Sequence, residues 1–216
     1  MQTQDFEKYA LVKPMNGEVA HIYRHYFQKW IGEGARDLKL LDFGCGDGKY
    51  FHYFSKIVPS ENIFGVEISK IRVDRCRDNG WANVFHIEKL KPLPFPGGYF
   101  DFINFDNVIE HISQSDIDFY LSEFIRILRK NGKVIICTPN YPIKILYDLF
   151  YAFSEHDFKR LRGDPTHITR YNFKKLRRLL SRYFATVQLE PTGGPFYKIF
   201  NKRIFSHKII GLCIKK

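Results

Sequence analysis

The segment LLDFGCGDGKY at residues 40–50 constrains the fold of this chain more than any other feature. An apolar run ends in Asp42, and three glycines follow at alternate positions, Gly44, Gly46 and Gly48. Glycine accepts a positive φ angle and lets a ligand approach the backbone with no Cβ in the way. A buried strand, a glycine turn and the start of a helix together predict a nucleotide-binding site.

The glycine spacing separates this segment from two common nucleotide sites. A dinucleotide site carries G-x-G-x-x-G, whereas these glycines follow G-x-G-x-G after an acid. A P-loop places Lys and then Ser or Thr after its last glycine, whereas Gly48 is followed by Lys49 and Tyr50. The segment matches neither template, although a nicotinamide-dependent oxidoreductase stays open as an alternative.

A second acid ends the next apolar run, IFGVEIS at residues 63–69. Glu67 lies 19 positions after Gly48, which leaves room for a helix and the return to a neighbouring strand. A carboxylate at that point can accept both hydroxyl groups of an adenosine ribose. The alternative is a solvated acid at the end of a strand.

Two further segments follow in order, LPFPGGYFDFINFDNVIEHI at 93–112 and NGKVIICTPN at 131–140. Together with residues 40–50, these segments resemble the class I S-adenosylmethionine-dependent methyltransferases. That family carries D-x-G-x-G-x-G, a turn of the type LPF-x-x-x-x-FD and a V-x-EH-like segment. The resemblance covers roughly residues 38–190 and is nearest to the ubiquinone-biosynthesis-like and other small-molecule methyltransferases.

The resemblance implies that S-adenosylmethionine is the cofactor. It implies a cofactor-binding set made of Asp42, Gly44, Cys45, Gly46, Gly48, Glu67, Ile68, Glu88, Asp106 and Asn107. Asp42 would order the glycine loop and reach the methionine amino group, and Glu67 would hold the ribose, with Ile68 beside adenine. The family's adenine-binding Asp aligns near Lys89, so Glu88 is expected to replace it. The last two residues of the set would line the sulfonium end.

His111 and His167 are the candidate catalytic residues. His111 follows the predicted fourth strand, and His167 lies in GDPTHITRY, which resembles the D-P-x-H segment before the family's last helix. A general base is needed only when the methyl acceptor is a hydroxyl or another weakly acidic group. Structural packing for His111 and loop ordering for His167 are the competing interpretations.

The positive charge of the chain lies in its last third. Residues 1–140 hold 18 Lys and Arg against 18 Asp and Glu, whereas residues 141–216 hold 16 against 5. This asymmetry predicts an anionic partner. A basic helix face, as in KKLRRLLSR at 174–182, accounts for part of it. Asn172 stands where the N-cap of that helix is expected.

Three kinds of partner fit that charge. The first is a small anionic or lipid- or glycan-linked methyl acceptor. The second is an anionic membrane, contacted by the aromatic and basic segment 195–205 and the apolar segment 143–153. A lid whose aromatic side chains close the substrate pocket is the competing and preferred interpretation. The third, a nucleic acid such as RNA, is disfavoured because DNVI stands where amino-methyltransferases of nucleic acids carry [DNS]-P-P-[FYW]. A protein that binds S-adenosylmethionine without catalysis is a further alternative.

The alternation of strand and helix patterns predicts an α/β fold, a doubly wound, mostly parallel seven-stranded sheet with an antiparallel last strand. We expect one methyltransferase domain over 1–216. Its parts are an N-terminal helical cap at 1–35, a cofactor-binding half at 36–140 and a basic substrate-side half with lid insertions at 141–216.

The cysteines and the apolar runs bear on location. Four scattered cysteines with no C-x-x-C pair argue for reduced thiols and against zinc, so no metal site is expected. Neither a signal peptide nor an apolar run of membrane-spanning length is visible. These features predict a cytoplasmic protein, with peripheral membrane contact as an option.

Overall fold

The computed structural model describes residues 3–12, 21–31, 37–194, 197, 199 and 203–216. Most of the segment 195–205, a candidate for lipid contact, lies outside these ranges, as do residues 1–2, 13–20 and 32–36 of the predicted N-terminal helical cap. Within the described ranges, no helix has both the length and the apolar character needed to cross a bilayer.

The sheet has seven strands in the order β3-β2-β1-β4-β5-β7-β6. Its strands are β1 (Leu40–Phe43), β2 (Ile63–Glu67), β3 (Val84–His86), β4 (Phe100–Asp106), β5 (Leu128–Pro139), β6 (Thr186–Thr192) and β7 (Lys208–Ile214). Only β7 runs antiparallel to its neighbours β5 and β6, while the pairs from β3 to β5 are parallel. The predicted fold class is therefore confirmed, including the antiparallel last strand.

Helices cover the sheet on both faces. They are α1 (Thr3–Val12), α2 (His21–Ile31), α3 (Phe51–Phe54), α4 (Lys70–Asp78), α5 (Ile117–Ile127), α6 (Ile143–Ser154) and α7 (Phe173–Leu180). The predicted N-cap of α7 is confirmed, because the Asn172 side chain accepts a hydrogen bond of 2.9 Å from the Lys175 amide. Helix α1 lies within the predicted N-terminal helical cap at 1–35, although no separate helix was predicted at its position.

The strands bury side chains on both faces because successive residues point to opposite sides of a sheet. Leu41 and Ile103 belong to one hydrophobic core, closed by α5 and α7. Leu40 and Phe102 belong to the other core, closed by α2, α3 and α4. This two-sided burial explains the nearly continuous apolar runs in the sequence of the central strands.

Helix α1 is fastened to the N-terminus of α4 by one carboxylate. Glu7 accepts hydrogen bonds from the Ser69 hydroxyl at 2.8 Å and from the Lys70 amide at 2.6 Å. The first amides of a helix have no partner within the helix, so a carboxylate there is stabilising. These hydrogen bonds lower the pKa of Glu7 against the opposing effect of its partial burial.

Gly65 lies in the middle of β2, where close packing excludes a side chain. A Cβ at this position would lie 2.5 Å from Phe51 Cζ and 2.9 Å from Cys45 Sγ. We expect Gly65→Ala to lower the free energy of unfolding by about 2 kcal/mol, the usual scale of overpacking. Gly97→Ala is the matched control, because its Cβ would meet its nearest neighbour at an ordinary 3.4 Å. Chemical denaturation measures both, and equal losses would contradict the packing argument.

Candidate active site

The glycine loop leaves β1 and is held against β2. The amides of Gly44 and Cys45 both donate to the Val66 carbonyl, at 2.8 and 3.1 Å. Gly44, Gly46 and Gly48 all have positive φ, between +58° and +81°. At Gly44 a Cβ would lie 2.6 Å from the Val108 side chain, so glycine is required there for both conformation and space.

Glu67 joins the glycine loop to the end of β2. One carboxylate oxygen accepts the Gly46 amide at 2.9 Å, and the other accepts the amides of Ile68 and Ser69 at 2.9 and 3.0 Å. Burial raises the pKa of Glu67, while these hydrogen bonds oppose that rise. A carboxylate has about four acceptor positions, so the group retains capacity toward the cavity that it lines.

Asp42 lies behind the glycine loop and is 2% exposed. Its Oδ1 accepts the Asn104 side-chain amide from β4 at 2.7 Å. Asp42 Oδ2 and Asn104 Oδ1 have no hydrogen-bond partner among the described residues. Burial raises the pKa of Asp42 to about 7. The acid therefore connects two central strands, and it does not line the cavity in front of them.

At the end of β4, Asp106 and Asn107 face the same cavity. Asp106 accepts a 2.6 Å hydrogen bond from the Tyr50 hydroxyl through Oδ2, and its Oδ1 is buried without a partner in the described part of the chain. Asn107 has φ of +52°, and its side-chain oxygen accepts a 3.1 Å hydrogen bond from Lys208 on β7. The turn after β4 is thus held from two sides.

A cluster of ionisable side chains lies beyond this turn. His167 Nε2 is 4.0 Å from Glu110 Oε1, and the rings of His111 and His167 have their centres 5.0 Å apart. Burial raises the pKa of Glu110 to about 8 and lowers the pKa of His167 to about 4. The loop that carries His167 is fastened to this turn by the Thr169 amide, which donates to the Glu110 carbonyl at 3.0 Å.

These groups share one cavity of about 300 Å³, at the low end of the usual range for small-molecule sites. It lies at the carboxyl ends of β1, β2 and β4, where the strand order reverses. Gly44, Glu67 and Asp106 line it, as do His111 and His167. Part of the predicted cofactor-binding set therefore lies beside both predicted histidines, whereas Asp42, Gly46 and Gly48 do not line the cavity.

The structure does not bring every predicted residue to the cavity. Glu88 points into solvent, 62% exposed, and pairs with Lys91 at 2.8 Å, so the structure does not place it as an adenine ligand. The Cys45 side chain lies on the opposite side of the loop, near Gly65. Hydrogen bonding with Cys76 and burial raise the pKa of the Cys45 thiol.

Several residues that line the cavity were not predicted from the sequence. Phe6 comes from α1, where no separate helix was predicted, and Tyr120 comes from the inner face of α5. Glu110 and Asp164 each stand beside or near a predicted histidine, in VIEH and GDPTH. That proximity in the sequence is the signal by which both acids could have been found.

Comparison with known proteins identifies the family. Residues 15–188 match a family model described as a methyltransferase domain. A ubiquinone biosynthesis O-methyltransferase from Pelagibacter ubique is 30% identical over 112 residues, which is 50% of this chain and 45% of that protein. A tRNA (carboxymethyluridine(34)-5-O)-methyltransferase from Xenopus tropicalis is 35% identical over 98 residues, 45% of this chain and 15% of that protein. The chain spans less than half the length of either relative.

A solved structure supports the fold. The crystal structure of a SAM-dependent methyltransferase from Archaeoglobus fulgidus superimposes with a TM-score of 0.60 at 19% identity. The match covers 89% of this chain and 99% of that one. At this identity the likeness establishes the arrangement of the sheet and helices.

Glu67 and Glu88 make a matched pair for a binding experiment. Glu67→Gln removes a charged acceptor at the cavity wall, so we expect S-adenosylhomocysteine to bind 10- to 100-fold more weakly, the scale of one or two charged hydrogen bonds. Glu88→Gln should leave the affinity unchanged, because Glu88 faces solvent. Isothermal titration calorimetry measures both, with thermal melts to confirm folding. If Glu88→Gln weakened the binding and Glu67→Gln did not, Glu88 would be the cofactor-binding acid instead of Glu67.

Asp42 should make stability depend on pH. Its pKa of about 7 in the fold exceeds the ordinary value of 3.8. The native protein then binds more protons than the unfolded chain between these values, so this group's contribution to stability falls as the pH rises from 4 to 7. Asp42→Asn removes that decline, and the variant should gain on the order of 2–4 kcal/mol over the wild type at pH 8.

Denaturant titrations at pH 4.5 and pH 8 measure this difference. Asp78→Asn, at an exposed position, is the control. Parallel stability curves for Asp42→Asn and the wild type would show that Asp42 does not carry a raised pKa.

Proposed function

The chain belongs to the class I methyltransferases, whose cofactor is S-adenosylmethionine, and we propose that it transfers a methyl group to an oxygen or nitrogen of a small molecule. One observation carries the proposal. A single cavity is lined both by Glu67 with the glycine loop and by the pair His111 and His167. Donor and acceptor positions that share one cavity are what a direct transfer requires.

The cofactor end is assigned by fit. Because Gly44 has no Cβ, no side chain occupies the narrow space between the loop and Val108. Glu67 would accept the ribose hydroxyls. Asp106 Oδ1, which has no partner among the residues that the structure describes, would accept a hydrogen bond from the amino group of the methionine part. Bound there, S-adenosylmethionine supplies an already activated methyl group.

The acceptor end lies between the turn after β4 and residues 164–168. His111 Nδ1 lies 3.0 Å from the Thr166 carbonyl oxygen, which only accepts hydrogen bonds, so this nitrogen carries the proton. In the neutral form of this ring the lone pair is on Nε2. With a pKa of about 4, His167 is neutral at physiological pH. Both rings can therefore accept a proton from, or orient, an acceptor hydroxyl.

The surface beside this end favours an acceptor held at an anionic membrane. Helix α6 and the turn Phe158–Arg162 expose large apolar side chains. The set is Leu146, Leu149, Phe150, Phe153, Phe158 and Leu161, which are 39–61% exposed. Lys159 and Arg162 are exposed in the same turn. Apolar side chains next to cations fit the boundary between acyl chains and anionic headgroups.

Methyl transfer itself is tested with methyl-labelled S-adenosylmethionine and separate acceptor pools of lipid-linked phenols, anionic sugars and RNA. Label in a lipid-linked or anionic small molecule is the expected result. Label confined to RNA would replace the proposed acceptor by a nucleic acid. No label in any pool, with S-adenosylhomocysteine still bound, would point to a non-catalytic binding protein.

Membrane contact gives a prediction on surface residues. The wild type should sediment with vesicles that contain phosphatidylglycerol at low salt. Added salt should weaken the binding, because it screens the attraction between the basic side chains and the anionic lipid. The double substitution of Leu149→Glu and Phe153→Glu should lower the binding at least tenfold, while Leu11→Glu, 65% exposed on α1, should not. Equal binding by all three proteins, or none by the wild type, would contradict the proposal.

A further inference from the structure

Three side chains that readily bind metal ions meet at the acceptor end of the cavity. Glu110 and His111 come from the short turn Ile109–His111, and His167 comes from the loop before α7. One potential ligand atom from each lies within 4.8 Å of the others. The cysteine spacing predicts no metal site, but this cluster contains no cysteine.

Each of the three groups is held in place by a second polar partner. Glu110 Oε2 accepts the Thr138 hydroxyl at 2.9 Å. His111 Nδ1 faces the Thr166 carbonyl at 3.0 Å, and His167 Nδ1 faces the Tyr141 hydroxyl at 2.8 Å. Such outer contacts fix the ring tautomers and direct the remaining ligand atoms of metal sites.

The carboxylate of Glu110 provides an independent indication of a ligand. The side chain is 1% exposed, and its Oε1 has no hydrogen-bond partner within the described ranges. That oxygen is directed toward His167 Nε2, 4.0 Å away. A buried carboxylate oxygen without a partner is costly, and a cation between these two atoms would remove the cost.

We propose that Glu110, His111 and His167 bind a divalent transition-metal ion such as Zn²⁺. Two imidazoles and one carboxylate suit Zn²⁺ or its first-row neighbours better than Mg²⁺, which prefers oxygen ligands. Tetrahedral metal–ligand distances of about 2.1 Å place ligand atoms about 3.4 Å apart, so atoms that lie up to 4.8 Å apart here would approach one another by up to about 1.4 Å. Asp164, whose Oδ2 is 3.8 Å from His167 Nε2, supplies further negative charge.

Three protein ligands leave a coordination position open, as in catalytic metal sites. All three residues line the cavity, so an acceptor oxygen bound there would occupy that position and lose its proton more readily. This consequence for the acceptor rests on the proposed methyl transfer, whereas the metal binding does not. In this arrangement the histidines orient the acceptor through the ion.

The test uses the full chain, treated with chelator and titrated with Co²⁺ and Zn²⁺ in the absence of cofactor and acceptor. We expect one equivalent to bind, with a visible Co²⁺ absorption band that Zn²⁺ abolishes. Glu110→Gln and His167→Gln should each weaken binding at least tenfold, whereas His52→Ala, on α3 and away from the cavity, should not. No stoichiometric binding, or equal affinity in all variants, would overturn the proposal.

The same preparations separate this inference from the proposed function. Binding of S-adenosylhomocysteine without binding of metal would remove the metal site and leave methyl transfer in place. Metal binding that depends on Glu110 and His167, with no methyl transfer to any acceptor, would confirm the site and reject the transfer. Thermal melts identify a variant that fails to fold, and Glu110→Asp, which retains the carboxylate, then serves as the second test of affinity.

Discussion

The arrangement of the site depends on one buried carboxylate that accepts three backbone amides. Glu67 receives the amides of Gly46, Ile68 and Ser69. These amides belong to two different loops, one after β1 and one after β2, so a single side chain fixes the relative position of both. Burial of this charge is tolerated because each oxygen is hydrogen-bonded. The close packing of Phe51 against Gly65 of β2 supports the same two loops.

The sequence was most informative where the determining interaction is local. The glycine spacing requires positive φ angles within five residues, and the N-cap at Asn172 involves a partner three residues away. Both were predicted correctly, as was the sheet, because strand and helix patterns alternate regularly. Glu88 was placed at the cavity by alignment with a family position, and a loop residue is not fixed by strand periodicity.

The remaining features depend on contacts between distant parts of the chain. The cluster of Glu110 and His167 joins residues 57 positions apart, and no periodicity connects them. Helix α1 is held by the contact of Glu7 with Ser69, 62 positions away. The basic last third and the apolar segment 143–153 were both visible in the sequence, whereas only burial shows which side chains of α6 stay exposed.

Ser69 gives the amino-terminal helix a thermodynamic connection to the cofactor loop. Its hydroxyl donates to Glu7 and its amide donates to Glu67, so one residue links α1 to the carboxylate that orders the glycine loop. Phe6 of the same helix lines the cavity. Coupling between two sites is reciprocal. A ligand that immobilises Glu67 and Ser69 therefore also favours the docked position of α1, and the amino-terminal helix reports, through its own stability, whether the cavity is filled.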